Sequence, residues 1–129
     1  MLLFGYPHIP SEILYHVGSI EAIDHTPSNS VLLFSCDEEV FELIEFAKIN
    51  SLEFALDIQN LKQAIICENL NAKYLLVDKG LAKSVQNAAD TYLFDAKILV
   101  HIKDVDDIEE LASEGIDGAI LPEAIIKIS

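Results

Sequence analysis

The sequence predicts an α/β fold in which a mostly parallel, five-stranded sheet lies between two layers of helices. Short β-rich runs begin near residues 31, 54, 74, 98 and 119, so one run follows another every 20 to 24 residues. That spacing leaves room for one helix in each crossover, as parallel pairing requires. The runs are continuously apolar rather than alternating, which is typical of strands covered on both faces. Together these features predict a three-layer, doubly wound sheet.

The first strand–helix unit shows how each element is identified. The apolar run 31–35 is followed by three acids at 37–39, and carboxylates there suit a helix N-terminus because they satisfy free N–H groups and the helix dipole. The predicted helix, 38–49, ends at Asn50. Its inner stripe carries Val40, Ile44 and Ala47.

The later units repeat this pattern. Asn60 and Gln63 form a capping box for a helix that extends to about residue 69. A turn at Lys79-Gly80 leads into a helix at 81–94, and a last helix begins at Asp104 and ends at Gly115. The remaining β-rich runs are 54–58, 74–77, 98–102 and 119–121, followed by a final apolar segment, 124–128.

Residues 1–30 do not fit the repeat. Pro7 and Pro10 interrupt the first segment, residues 13–17 read as a strand or one helical turn, and residues 19–24 read as a short strand. We therefore expect 1–30 to be an N-terminal arm or edge hairpin on a single domain, 1–129, whose repeated βα units occupy 31–129. Five strands are too few to close an eight-stranded barrel, so an open sheet is favoured over a half-barrel that dimerises.

The charge of the chain limits its partners. The net charge is −14, and all eight basic residues are lysines. Phosphate backbones and anionic membrane surfaces are bound by clustered Lys and Arg, so neither nucleic acid nor a membrane is an expected partner. No apolar run approaches the roughly 18 residues that span a bilayer, and the N-terminus lacks the features of a signal peptide. Two cysteines do not make a disulfide framework, and a cytoplasmic location is expected.

Any site should lie where the strands end, because ligands of open parallel sheets bind beyond the carboxyl ends of the strands. Lys103, His101 and Asp57 are the catalytic candidates there. A lysine would hold an anionic ligand or act as an amine nucleophile, and His101 or Asp57 would be the acid–base group. The ligand-binding candidates are Lys79, Asp78 and Asp37. No cofactor is predicted, and the four histidines lack metal-ligand spacing, so no metal is predicted either. The other polar residues at these ends are Cys36 and Glu123.

The size, the (βα)5 arrangement and the acids after the first and third strands (Asp37, Glu38, Asp78) resemble a response-regulator receiver domain. That resemblance covers about residues 31–122 and implies a flavodoxin-like sheet, Mg²⁺ held by the acids and a phosphoryl-accepting Asp78. The sequence departs from the family after the last strand, where its Lys-Pro reads Leu121-Pro122. Without that lysine the resemblance implies a degenerate, Mg-binding domain at most.

The segment from Lys97 to Gly118 is similar to the phosphate-binding (βα) barrel enzymes, such as small aldolases and phosphosugar decarboxylases. Those enzymes have a glycine-rich phosphate loop after the final strand, and here Leu121-Pro122-Glu123 stands in its place. The resemblance therefore implies a barrel-type strand–helix unit without the phosphate loop.

Three functions follow as hypotheses. The first is a non-catalytic binding or assembly module that self-associates as a homodimer, because a short chain with 51% apolar residues can leave apolar surface for a partner. The second is an enzyme that acts on a small anionic metabolite at the carboxyl ends of the strands. The third is the degenerate receiver-like domain. The absence of a catalytic motif favours the first.

Overall fold

The computed structural model describes residues 1–128, which form eight β-strands, five α-helices and one 3-10 turn. None of the helices within this range is long and apolar enough to cross a membrane. In chain order the elements are β1 Leu2–Phe4, β2 Leu14–His16, α1 Ile20–Ile23, β3 Val31–Ser35, α2 Val40–Ile49, β4 Phe54–Asp57, α3 Leu61–Asn69, β5 Tyr74–Val77, α4 Lys79–Tyr92, β6 Lys97–His101, α5 Asp107–Ser113, β7 Gly118–Ile120, the 3-10 turn Pro122–Ala124 and β8 Ile125–Lys127.

All the strands belong to one sheet, in the order β1-β7-β6-β5-β4-β3-β2-β8, and every neighbouring pair is parallel. The prediction of an α/β fold with a parallel sheet is confirmed. The predicted number of strands was wrong, because β1, β2 and β8 also join the sheet. Each of these three strands has only three residues and begins outside the 20- to 24-residue spacing of the repeat, so the pattern did not include it.

The sheet is curled so strongly that its two edges approach each other. β7 and β8 stand at the second and eighth places of the order, yet only the four residues 121–124 connect them. The ring of Phe4 on β1 lies 5.2 Å from the ring of Tyr74 on β5, three strands away. In a flat sheet those strands would be about 14 Å apart, so the two rings meet across the inside of a curved sheet.

The curl creates two separate hydrophobic cores. The inner core consists of strand side chains and Ala124 of the 3-10 turn; its largest fully buried members include Leu14, Leu33, Leu76 and Leu99. The outer core lies between the sheet and the helices, and all five helices contribute their buried apolar residues to it. The helices therefore cover one face of the sheet, and the sheet covers its own other face. The prediction of a three-layer, doubly wound sheet was wrong in this respect, because curling buries the second face without a second layer of helices.

The N-terminal segment is part of the sheet rather than an arm or hairpin. β1 pairs with β7, and β2 lies between β3 and β8. The segment expected as a short strand at 19–24 is instead the helix α1, because the Ser19 hydroxyl accepts a hydrogen bond from the Ala22 N–H and caps it. Residues 1–30 thus supply both a sheet edge and a strand next to the other edge.

A polar cluster closes the amino end of the curled sheet. The carboxylate of Glu12, just before β2, accepts hydrogen bonds from the Tyr74 hydroxyl and from Lys73 Nζ, the latter at 3.0 Å. Lys73 also pairs with Glu53 at 3.0 Å. Burial would raise the pKa of Glu12, but the Tyr74 and Lys73 hydrogen bonds outweigh it and hold that pKa below its usual value. The cluster joins residues that precede β2, β4 and β5.

Gly118 on β7 is a position where the curl leaves no room for a side chain. A Cβ there would lie 2.7 Å from Leu99 Cδ2 and 2.8 Å from the Leu2 carbonyl oxygen, which is backbone and cannot move aside cheaply. We expect Gly118→Ala to lower the free energy of unfolding by about 1–3 kcal/mol, measured by urea denaturation.

Gly80→Ala is the matched control, because a Cβ at Gly80 in the first turn of α4 meets nothing within 4 Å. Gly80→Ala should leave the free energy of unfolding unchanged or raise it by up to about 1 kcal/mol. Equal tolerance of both substitutions would contradict the close approach of β1, β6 and β7.

Candidate functional site

Polar side chains occupy the inner face of the sheet at the carboxyl ends of the strands. Side chains alternate along a strand, so Ser35 lies on the same face as the inner-core residue Leu33 two positions earlier. The register then places Asp57 opposite Ser35, and Lys127 opposite His16. The same alternation puts His101 above Leu99. We call these five inward-facing residues the mouth layer: His16, Ser35, Asp57, His101 and Lys127.

Within the mouth layer, His101 and Asp57 form a hydrogen-bonded pair. Nε2 of His101 donates to Oδ1 of Asp57 over 2.9 Å, reaching across β5 from β6 to β4. The two side chains are 30% and 34% exposed, so both remain accessible to a ligand. The hydrogen bond to Asp57 raises the pKa of His101 above 6.5 despite its burial, and the charge of Asp78 adds to the effect. His101 is therefore more protonated at neutral pH than an ordinary histidine.

A second histidine of the mouth layer, His16, has a pKa that is shifted in the opposite direction. Nε2 of His16 lies 2.9 Å from Oγ of Ser35 on the neighbouring strand. Burial lowers the pKa of His16 below 6.5, and the positive charges of Lys127 and His101 lower it further against the pull of Asp57. The mouth layer thus holds one histidine that favours the protonated form and one that favours the neutral form.

Two cavities open beside His101. The larger, about 600 Å³, is lined by both charged and apolar side chains, and the smaller, about 420 Å³, extends toward Asp57 and Gln59. Asp78, His101 and Lys103 line both cavities. The larger volume falls within the range of small-molecule sites, which is about 300–1,000 Å³.

The two lysines of the larger cavity differ in their partners. Lys79 Nζ is held by Glu110 at 3.0 Å and by Asp107 at 3.2 Å, and these hydrogen bonds raise its pKa. Lys103 forms no ion pair with any of residues 1–128. Lys103 is thus the cavity lysine whose charge is not already matched by a carboxylate.

The structure brings together five of the six site residues expected from the sequence. Asp57 and Lys79 each line one of the two cavities, and Asp78, His101 and Lys103 line both. Asp37 lines neither cavity; its carboxylate accepts a hydrogen bond from the Glu39 N–H at 3.1 Å, in the turn that leads into α2.

The sequence leaves residues 13–17 open between a strand and one helical turn and marks 124–128 only as an apolar segment, so His16, Ser35 and Lys127 were not among the expected site residues. An available signal was alternation: Ser35 follows Leu33, and His16 follows Leu14, with one residue between. The other two residues expected at the strand ends, Cys36 and Glu123, line neither cavity. Cys36 Sγ lies 3.7 Å from Cys67 Sγ, and burial raises the pKa of both thiols, that of Cys67 to about 12.

Neither a metal-ligand cluster among residues 1–128 nor a similarity to a known protein helps to define the site. Within residues 1–128, no group of three or more His, Cys, Asp or Glu side chains is arranged to hold a metal ion. No protein-family model and no curated protein matches the sequence.

The influence of Asp57 on His101 can be measured directly. Asp57→Asn removes the charge that raises the pKa of His101, so that pKa should fall in an NMR titration of the imidazole Cε1–H signal. Because the folded-state pKa is raised, the pair stabilises the fold below pH 6.5 and this stabilisation is lost as the pH rises through the raised pKa. Asp57→Asn should therefore destabilise the protein more at pH 5.5 than at pH 9.

Asp37→Asn is the matched control. Asp37 follows β3, the strand next to β4, and its charge is not among those that shift the pKa of His101. This variant should leave the His101 titration unchanged. An equal shift in both variants, or none in Asp57→Asn, would contradict the pairing.

Proposed function

We propose that this protein is an enzyme that catalyses proton transfer on a small anionic metabolite bound at the carboxyl ends of the strands. One observation carries the proposal: a histidine–carboxylate pair, His101 and Asp57 at 2.9 Å, stands in the wall of cavities that also contain Lys103. In parallel α/β folds the carboxyl ends of the strands are where catalytic groups are placed.

His101 would act as the general acid. Asp57 holds its Nε2, and no side chain within residues 1–128 hydrogen-bonds its Nδ1, which leaves that nitrogen for a ligand. An orienting carboxylate fixes the ring and stabilises the imidazolium, the arrangement that general acid–base histidines use. The hydrogen bond to Asp57 raises the pKa of His101, which favours the protonated form that a general acid needs.

The His16–Ser35 pair would serve as the proton acceptor. Neighbouring titratable groups whose pKa values are displaced in opposite directions are the usual sign of an acid and a base in one site. His16 favours its neutral form, and the 2.9 Å contact allows the Ser35 hydroxyl to pass a proton to His16. His16 and Ser35 line neither cavity, so the ligand would reach this pair from the open side of the mouth layer.

The charge distribution supports an anionic substrate. The chain carries a net charge of −14 and only eight lysines, yet Lys79, Lys103 and Lys127 all stand at the carboxyl ends of the strands or just beyond them. Two carboxylates already match Lys79, whereas Lys103 is available. A cationic ligand would meet the charge of this lysine, so an anion is the better fit.

Activity can be sought without knowing the substrate. The purified protein is incubated with a metabolite extract, and loss or gain of small anions is followed by liquid chromatography with mass spectrometry, because proton transfer can interconvert isomers of equal mass. We expect at least one anion to be converted, and His101→Gln to slow that conversion by about 100-fold or more, because it removes the acid.

His25→Gln is the matched control, since His25 is exposed in the loop after α1 and lies outside the mouth layer. It should retain full conversion. A His101→Gln variant as active as the wild type, or no conversion of any metabolite, would refute the proposal.

Self-association is a second proposal, and the end of α4 favours it. Tyr92 and Leu93 are adjacent and 70% and 84% exposed, which is unusual for two large apolar side chains in sequence. We expect light scattering to give a mass near twice 14.3 kDa, and the double variant Tyr92→Ser, Leu93→Asn to give a monomer. Asn tolerates the left-handed backbone of Leu93, at φ 54°, so the variant should fold. A monomeric wild type at high concentration would rule the proposal out.

A further inference from the structure

The larger cavity combines an apolar wall with a single unmatched cation, and this combination restricts the substrate class. We propose that the cavity binds a small monocarboxylate with an apolar tail, the carboxylate on Lys103 and the tail against Ile120, Pro122 and Ile125. This inference rests on the proposed function, because it names the substrate class of the same site.

The apolar wall follows from where the strands end. Ile120 is the last residue of β7 and Ile125 the first of β8, and the 3-10 turn between them places Pro122 beside both at the cavity wall. Ile102, just after β6, completes this side. A sugar or other polyhydroxylated ligand would leave its hydroxyl groups without partners against these side chains, and each unpaired hydroxyl in such a place weakens binding.

The same turn argues against a phosphate group. Phosphate sites at the ends of strands use free backbone N–H groups. Here the Leu121 N–H donates to the Phe4 carbonyl at 2.9 Å, the Ala124 N–H to the Leu121 carbonyl at 3.0 Å, and the Ile125 N–H to the Pro122 carbonyl. Pro122 itself has no N–H. The turn therefore offers almost no donors to a phosphate.

The charges of the cavity also favour a carboxylate over a phosphate. Asp78 and Asp107 also line it, and Asp107 already holds Lys79. A dianionic phosphate would face the carboxylate of Asp78 with only one unmatched lysine, Lys103, and His101 to offset its two charges. A carboxylate carries a single charge, which one ammonium group can match, and the proton of His101 is then free for chemistry.

Four probes test the inference by isothermal titration calorimetry and by the NMR signals of His101: hexanoate, its neutral isostere hexanamide, inorganic phosphate and glucose 6-phosphate. We expect hexanoate to bind and to shift the His101 signals. Hexanamide should bind about tenfold more weakly or worse, because it lacks the charge that Lys103 matches. Neither phosphate compound should show saturable binding.

Lys103→Met should abolish the preference for hexanoate over hexanamide while keeping the apolar contacts. Lys97→Met is its matched control, because Lys97 is an exposed lysine at the start of β6, whereas Lys103 lies two residues beyond the end of that strand. The control variant should keep the preference. Thermal denaturation of both variants checks that each is folded, and hexanoate binding by Lys97→Met shows that loss of a lysine charge outside the cavity does not remove the preference.

The possible failures are distinguishable. Binding of glucose 6-phosphate or phosphate in preference to hexanoate, with a shift of the His101 signals, would overturn the monocarboxylate inference and leave the proposed enzyme intact. Retention of the hexanoate preference in Lys103→Met would overturn the role of Lys103. If no probe shifts the His101 signals while the metabolite assay shows conversion that depends on His101, only the substrate class is refuted; if both are negative, the proposed function is refuted with it.

Discussion

The curl of the sheet is the constraint on which the rest of the structure depends, and Tyr74 stands at its centre. Its ring packs against Phe4 of the edge strand β1, while its hydroxyl donates to Glu12, which precedes β2 near the other edge. Burial and the Glu12 hydrogen bond raise the pKa of Tyr74 to about 12, so the phenol stays neutral and remains a donor. One side chain thus joins both ends of an eight-stranded sheet. Because the pKa of Glu12 is lowered in the folded state, this stabilisation is present above the ordinary carboxyl pKa and is lost as the pH falls through the lowered value.

Curling also divides the inner face into an apolar interior and a polar mouth. The inward-facing residues nearer the amino ends of the strands fill the interior. They have no helix to pack against, so they must be apolar and must fit one another. On β2, β3, β4 and β6 the last inward residue lies where the packing ends and solvent begins, and it is therefore free to be polar. His16, Ser35, Asp57 and His101 occupy such positions. The fold brings residues from four strands together at one opening, and that is the physical basis for placing chemistry there.

The sequence predicted the parts of the fold that have a local signal. Strands β3 to β7 and the helices between them follow from apolar runs and capping residues such as Asn60, whose side chain accepts from the Gln63 N–H at 2.9 Å. β1, β2 and β8 lie outside the 20- to 24-residue repeat that marked the equally short β7, and their conformation depends on their neighbours in the sheet. The second face of the sheet was misassigned to helices for a related reason: continuously apolar strands result whether that face is covered by helices or by the sheet itself.

The candidate site was predicted in part. Asp57 and His101 could be placed at strand ends from the sequence, but their hydrogen bond across β5 could not, since it depends on how far the sheet curves. Asp37 shows why an acid after a strand is an ambiguous signal. Such an acid can bind a ligand or cap the start of the next helix, and the Asp37 carboxylate accepts a hydrogen bond from the Glu39 N–H. His16 and Lys127 face each other only because β2 pairs with β8, a long-range contact between the two ends of the chain.

Nuclear Overhauser effects across the inside of the sheet test the curl most directly. We expect cross-peaks between the ring protons of Phe4 on β1 and Tyr74 on β5, whose centroids are 5.2 Å apart. Cross-peaks between the Gly5 Hα protons and the Ala124 methyl group, which join the ends of the paired strands β1 and β7, should appear in a curled and in an open sheet alike and serve as the control. If the Phe4–Tyr74 cross-peaks are missing while these and the cross-peaks between neighbouring strands β3 to β6 are present, the sheet is open and the mouth layer does not exist.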